Sequence, residues 1–135
     1  MATALALRDA LPSNSLRRAQ AVEHGLPIKM LRALLKDGEI TLADLSRVIA
    51  PRRTLERRIK ENDRLTVDES DRLARFMTIL ELCEHIFGDR HEAMDWLRSP
   101  MLAFQERAGL DLLRTAAGGE AVNNLLQRGR HGMLA

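Results

Sequence analysis

Apolar residues recur at helical spacing along nearly the whole chain, and no stretch shows the period of two that a half-buried strand requires. Leu5 to Leu11 reads as a weak helix, and a second helix is expected to start near Asn14, after Pro12-Ser13. Gly25 and Pro27 punctuate the chain, and Pro27 opens a helix with Ile28, Leu31, Leu34 and Leu35 on one side. Thr41 reads as an N-cap with Asp44 three residues on, a weaker capping box than one built on the longer Glu. The helix it starts turns Leu42, Leu45, Val48 and Ile49 inward and stops at Ala50-Pro51, because proline disfavours helical geometry in the residue before it. A basic helix over 53–62 follows, with Leu55 and Ile59 one turn apart and almost everything else charged. Thr66 and Glu69 form the next capping box and open the longest helix, running to about Phe87 before Gly88. Leu73, Phe76, Leu80, Cys83 and Phe87 make one apolar stripe on it, and Ile79, Leu82 and Ile86 a second. A helix apolar over most of its girth is central to the core or covered by a second chain. Asp89 starts a short helix carrying Ala93, Met94, Trp96 and Leu97, closed by Ser99-Pro100. Residues 101–110 read as irregular or short helix, and Asp111 to Ala116 as one or two turns broken by Gly118-Gly119. Glu120 to Arg128 reads as a last helix before a loose, Gly-broken tail. The class is therefore all-α, in three stretches: an N-terminal helical segment over 1–26, a helix–turn–helix region over 27–65, and the long helix with a C-terminal lobe over 66–135.

Composition sharpens this. The 135 residues allow one compact domain or two small lobes, 45% are hydrophobic and only 3% aromatic, so the core is aliphatic. Lone Cys83 excludes an intrachain disulfide and fits a reducing, cytoplasmic setting. No apolar run is long enough for a membrane span. The net charge of +2 hides an asymmetry. Residues 1–65 hold 13 Lys and Arg against 8 Asp and Glu; the remainder holds 8 against 11. A basic half can face phosphates, whereas an acidic half cannot do so easily.

The helix–turn–helix gives that charge a geometry. Arg53, Arg57, Lys60 and Arg64 are spaced 4, 3 and 4, one face if the helix reaches that far, with Leu55 and Ile59 opposite. With Arg52, Thr54 and Arg58 they form the expected DNA-contacting set: the apolar side docks on the preceding helix and the basic side enters a groove. The bland alternative is a solvated helix whose Glu56 and Glu61 pair with neighbouring cations. Catalytic and metal motifs are missing. Cys83 and His85 diverge by about 200° around a helix. His91-Glu92 lacks a second His four residues on, and no Gly-rich phosphate loop is present. Neither an enzymatic role nor a metal or other cofactor is expected.

Thr54-Leu55-Glu56-Arg57-Arg58, followed by Leu65-Thr66-Val67-Asp68-Glu69-Ser70-Asp71-Arg72-Leu73-Ala74-Arg75, resembles the Xre/MbcA/ParS antitoxin family. The resemblance continues through Ile86-Phe87-Gly88-Asp89, Ala93, Trp96-Leu97, Pro100, Leu110 to Leu113, Thr115, Gly118 and Val122, and covers about residues 41–132. It implies a type II antitoxin that binds a RES-domain, NAD-acting toxin through its C-terminal domain, covers the toxin's active-site cleft with its C-terminal end, and represses its own operon. The toxin-binding residues so implied are Trp96, Asp111, Leu112, Leu113, Thr115, Arg128, Arg130 and His131. Taken singly, several also have a plain structural reading: Trp96 as an anchor with a bonded indole N–H, Asp111 as a helix cap, Thr115 bonding back to its own turn. The family usually has a Gly-Gly turn and then Pro-Leu-Asp-Leu-Leu; here the loop runs Ala103 to Ala108, and Gly109 replaces the proline. The apolar excess of the long helix, and the two half-sites that helix–turn–helix proteins commonly read, point to a homodimer. The alternative function is a stand-alone helix–turn–helix regulator without a toxin partner.

Overall fold

The computed structural model describes residues 11–130, so the expected helix over Leu5 to Leu11 lies almost wholly outside them. The described residues fall into two compact units, one up to residue 74 and one from residue 75.

In the first unit, α1 (Ser15–His24) starts where Asn14 places its Oδ1 to accept from the amides of Leu16 and Arg17, at 3.0 and 3.1 Å. None of its residues is buried. Gly25 then turns the chain at φ 91, and a Cβ there would lie 2.6 Å from the Leu65 carbonyl oxygen. This tight crossing is closed by three bonds. The Leu26 amide donates to Ser70 Oγ at 2.8 Å, the Leu65 amide to the Leu26 carbonyl at 3.1 Å, and Arg64 Nη1 to the Gly25 carbonyl at 2.7 Å. Next come α2 (Ile28–Leu35) and α3 (Leu42–Val48). The short Asp44 does complete the capping box: its amide donates to Thr41 Oγ1 at 3.1 Å, and its Oδ2 accepts from the Thr41 amide at 2.9 Å. After Pro51, α4 (Arg52–Glu61) stops at Asn62, left-handed at φ 55. Amides of Asn62 and Asp63 donate back to the Ile59 and Arg58 carbonyls, the double closure that ends many helices. The core beneath is aliphatic, with Leu31, Leu34, Leu45 and Leu55 wholly buried.

Helix α5 (Val67–Phe87) begins in the first unit, with Thr66 and Glu69 bonded reciprocally at 2.9 and 3.2 Å, and ends in the second at Gly88, φ 97. Leu73, Phe76, Met77, Ile79, Leu80 and Cys83 are buried, whereas Leu82, Ile86 and Phe87, toward its C-terminal end, are only half-buried. Most of the apolar surplus is thus taken up inside the chain, and a half-exposed remainder is left at that end of the helix.

In the second unit, Asp89 caps α6 (Arg90–Arg98) by accepting from the Glu92 amide at 2.8 Å. The following loop differs from expectation. Pro100–Met101 (β1) pairs antiparallel with Arg107–Ala108 (β2) around a 3-10 turn over Leu102–Phe104. A two-residue strand is too short to show a period in sequence. Helix α7 spans Gly109–Leu112, so Asp111 sits in its first turn and is not its cap. Helix α8 (Ala116–Arg130) runs straight through Gly118-Gly119, which do not break it. The reason is close approach. A Cβ on Gly118 would lie 1.9 Å from the Leu112 carbonyl oxygen, and one on Gly119 would lie 2.6 Å from Arg75 Cδ. The expected loose tail over 127–130 is the last turn of α8; His131 lies outside the described residues.

Candidate functional site

Helix α4 presents two kinds of arginine. Leu55 is buried and fastens the helix, and Ile59 and Thr54 are half-buried on the same side. Arg53, Arg57 and Lys60, at positions i, i+4 and i+7, share the solvent side with Arg52 beside them. Arg52 reaches Glu56 at 3.6 Å, and Arg57 lies 3.6 Å from Glu61 and 3.7 Å from Asp63, all partly or largely exposed. Such pairs are weak and readily exchanged for a phosphate. Arg53 and Lys60 have no acidic partner among the described residues, so their charge is uncompensated at that surface. The other two predicted cations point elsewhere. Arg58 turns inward: its Nη2 donates to Glu69 Oε2 at 3.2 Å, and its Nε lies 2.7 Å from Oε1 as a close charge contact without hydrogen-bond alignment. Arg64 lies beyond the end of α4 and is tied to the Gly25 carbonyl. The outward set on α4 is therefore Arg52, Arg53, Arg57 and Lys60.

Three further arginines were not anticipated as structural donors. Arg32 bonds the Ile59 carbonyl and Asn62 Oδ1 at the end of α4, Arg72 the Ile49 carbonyl at 2.9 Å, and Arg75 the Leu113 carbonyl at 3.0 Å. Each meets a carbonyl near a helix C-terminus, where such acceptors lack partners within the helix. The only advance signal for Arg75 was the adjacent glycine pair, which needs a neighbour to approach closely.

In the second unit, Trp96 stands between Phe87 and Phe104, at centroid distances of 5.6 and 6.3 Å, the second edge-on. Leu113 is fully buried, Asp111 and Leu112 are half-buried, and Thr115 is exposed. Thr115 Oγ1 accepts from the Gly118 amide at 3.0 Å at the start of α8, so it does bond into its own turn. Arg128 and Arg130 are exposed on the last turn of α8. Leu113 thus supports the lobe from inside, Trp96, Asp111 and Leu112 are half-buried and reach its surface in part, and Thr115 and the two arginines lie on it. Cys83 is buried, and burial first, with the Glu84 charge second, pushes its thiol up to about 12. His91, Glu92 and Asp95 gather on the exposed side of α6, with His91 Nε2 3.4 Å from Asp95 Oδ2. No helix among the described residues is long and apolar enough to cross a membrane.

These features define a helical protein of helix–turn–helix class with an appended second unit. Residues 17–77 match the antitoxin Xre-like helix-turn-helix domain, and residues 83–132 match the antitoxin Xre/MbcA/ParS C-terminal toxin-binding domain. The chain belongs to this antitoxin family. It is 34% identical over 105 residues to a protein named antitoxin Xre from Pseudomonas putida, a match spanning 78% of this chain and 65% of that relative. It is 28% identical to proteins of the same name from Yersinia enterocolitica, over 85% of this chain and 79% of the relative, and Photorhabdus laumondii, over 92% and 86%.

Proposed function

We propose that this chain is the antitoxin of a type II toxin–antitoxin pair. Its second unit binds a RES-domain toxin that acts on NAD, and its C-terminal end covers the toxin's active-site cleft. Its helix–turn–helix binds operator DNA and represses the operon. It acts by binding, without a cofactor and without catalysis, in the cytoplasm. The observation that carries this reading is the match of an antitoxin helix–turn–helix domain and a toxin-binding domain to consecutive segments, 17–77 and 83–132. The uncompensated Arg53 and Lys60 on α4 support the DNA part, since phosphate contacts supply much of the affinity for a duplex. A homodimer is part of the proposal. Its surface is either the half-buried end of α5 at Leu82, Ile86 and Phe87 or the N-terminal segment, where α1 buries none of its residues and Leu16 is 68% exposed.

Two measurements test this. In the first, Arg53→Ala should weaken binding to the promoter fragment at all sequences alike and lower the salt slope by about 1, as loss of one phosphate contact does. If Arg53→Ala, Arg57→Ala and Lys60→Ala all bind as wild type, α4 is a solvated face. In the second, the genes adjoining this one are searched for a RES-domain protein, and its NAD consumption is followed with the full chain and with a chain ending at Arg130. The full chain should inhibit and the shortened one should not. Equal inhibition by both removes the covering role from the C-terminal end. No binding to any such neighbour leaves a stand-alone regulator.

A further inference from the structure

We propose that Leu102, at the tip of the β1–β2 hairpin, is an anchor that inserts into an apolar socket on the toxin. This rests on the toxin-binding reading above and adds a contact that the sequence pattern did not supply. A single exposed leucine is ordinary on a protein surface and means nothing alone. Here its setting argues otherwise. Leu102 is 83% exposed, the most exposed large hydrophobic residue among the described residues of the second unit. That unit is the segment matching a toxin-binding domain.

The tip is fixed in place. The Glu106 amide donates to the Met101 carbonyl at 2.9 Å and the Gln105 amide to the Leu102 carbonyl at 3.0 Å. Phe104, two residues on, is buried with its ring edge-on to Trp96. The turn closes through two consecutive non-glycine residues in left-handed backbone, Gln105 at φ 56 and Glu106 at φ 67. Strained backbone of this kind persists where the surroundings over-determine it, and it gathers at ligand clamps. The result is an apolar side chain held out on a rigid support, so little ordering remains to be done on association. Exposed Gln105, Glu106 and Arg107 supply a polar border around it, as at the rim of an interface.

The test uses the full chain and the neighbouring RES-domain protein, with binding measured by titration. Leu102→Ala and Leu102→Asp should weaken binding by roughly thirtyfold or more, the loss expected for a central anchor. Their thermal melts followed by Trp96 fluorescence should match wild type, because the removed side chain faces solvent. Wild-type affinity in both variants overturns the proposal and leaves the toxin reading intact. Failure of the wild-type chain to bind overturns both. A Leu102→Cys chain supplies the second measurement. Cys83 is buried and its thiol is held far above neutral pH, so a bulky maleimide reacts at position 102 alone. With the toxin present at a concentration shown by titration to saturate this weakened variant, the free chain should label and the complex should resist; equal labelling of both at saturation overturns the proposal.

Discussion

Helix α4 and the corner between α7 and α8 are organised by opposite means. In α4 what matters is where charge ends up, since Leu55 alone is fully buried and the solvent side is a row of cations. At the corner what matters is the absence of side chains. Gly118 lets α8 pass against the Leu112 carbonyl, and Gly119 makes room for the Arg75 stem, whose head bonds the Leu113 carbonyl. Arginine serves both regions differently. Arg53 carries its charge to solvent, while Arg58 and Arg75 carry N–H groups to acceptors inside the protein. The basic balance of residues 1–65 overstates the charge offered to a partner by Arg58, which is paired with Glu69, whereas Arg32 and Arg64 donate to neutral acceptors and stay exposed with their charge.

The largest expected effect is at the corner. Gly118→Ala gains about 1 kcal/mol of helix propensity but drives a methyl into a backbone carbonyl that no rotamer can move. The clash should cost the second unit about 4 kcal/mol, above the usual range of overpacking effects, and so about 3 kcal/mol net. Gly119→Ala meets only the flexible stem of Arg75 and should stay within about 1 kcal/mol of wild type. Thermal melts read by the single tryptophan, Trp96, report on this unit. Two alanine variants of equal stability would mean that shape does not rule the corner.

Within α4, Arg58→Met should separate the two uses of arginine. Arg58 and Glu69 keep only 13% and 9% of their side chains exposed, so the substitution leaves a largely buried carboxylate without its counter-charge. A loss of about 2–3 kcal/mol is expected, somewhat below that for a fully buried pair. Arg53→Met should change stability by less than about 0.5 kcal/mol, as surface substitutions do. Urea unfolding of both checks this; a neutral Arg58→Met would make the inward arginine a bystander.

The difference between the regions also explains what could be read from sequence. Caps at Asn14, Thr41, Thr66 and Asp89 were legible, because each is a local bond between residues two or three apart. The apolar side of α4 was legible for the same kind of reason, its 3.6-residue period. The exchange of Arg58 from surface to interior was not, since its partner Glu69 lies 11 residues on and also belongs to a capping box. Gly118-Gly119 read as a break because glycine's low helix propensity is local, whereas the contacts that require it are made by Leu112 and Arg75. The hairpin leaves no period in the sequence because its pairing spans only Pro100–Met101 and Arg107–Ala108.

The smallest effect compares how the end of α4 and the β1–β2 hairpin turn the chain. Each uses left-handed residues without glycine: Asn62 after α4, Gln105 and Glu106 in the hairpin. Asparagine visits this region at low cost, and Asn62 Oδ1 also accepts from Arg32 Nη1 at 3.0 Å. Asn62→Gly should therefore gain nothing and lose that bond. Gln and Glu carry the full Cβ penalty there, about 1–2 kcal/mol each, and glycine would remove it while adding about 0.4–1 kcal/mol of unfolded-chain entropy to overcome. Gln105→Gly or Glu106→Gly should thus stabilise the second unit by about 0.5–1 kcal/mol, a rise of a few degrees in the Trp96-monitored melt. Gln105→Ala is the control, because alanine shortens the side chain and keeps the Cβ. If alanine stabilises as much as glycine, the gain comes from the side chain beyond Cβ and the turn is not strained. If glycine destabilises, the Gln105 side chain holds the hairpin by contacts that outweigh its backbone cost.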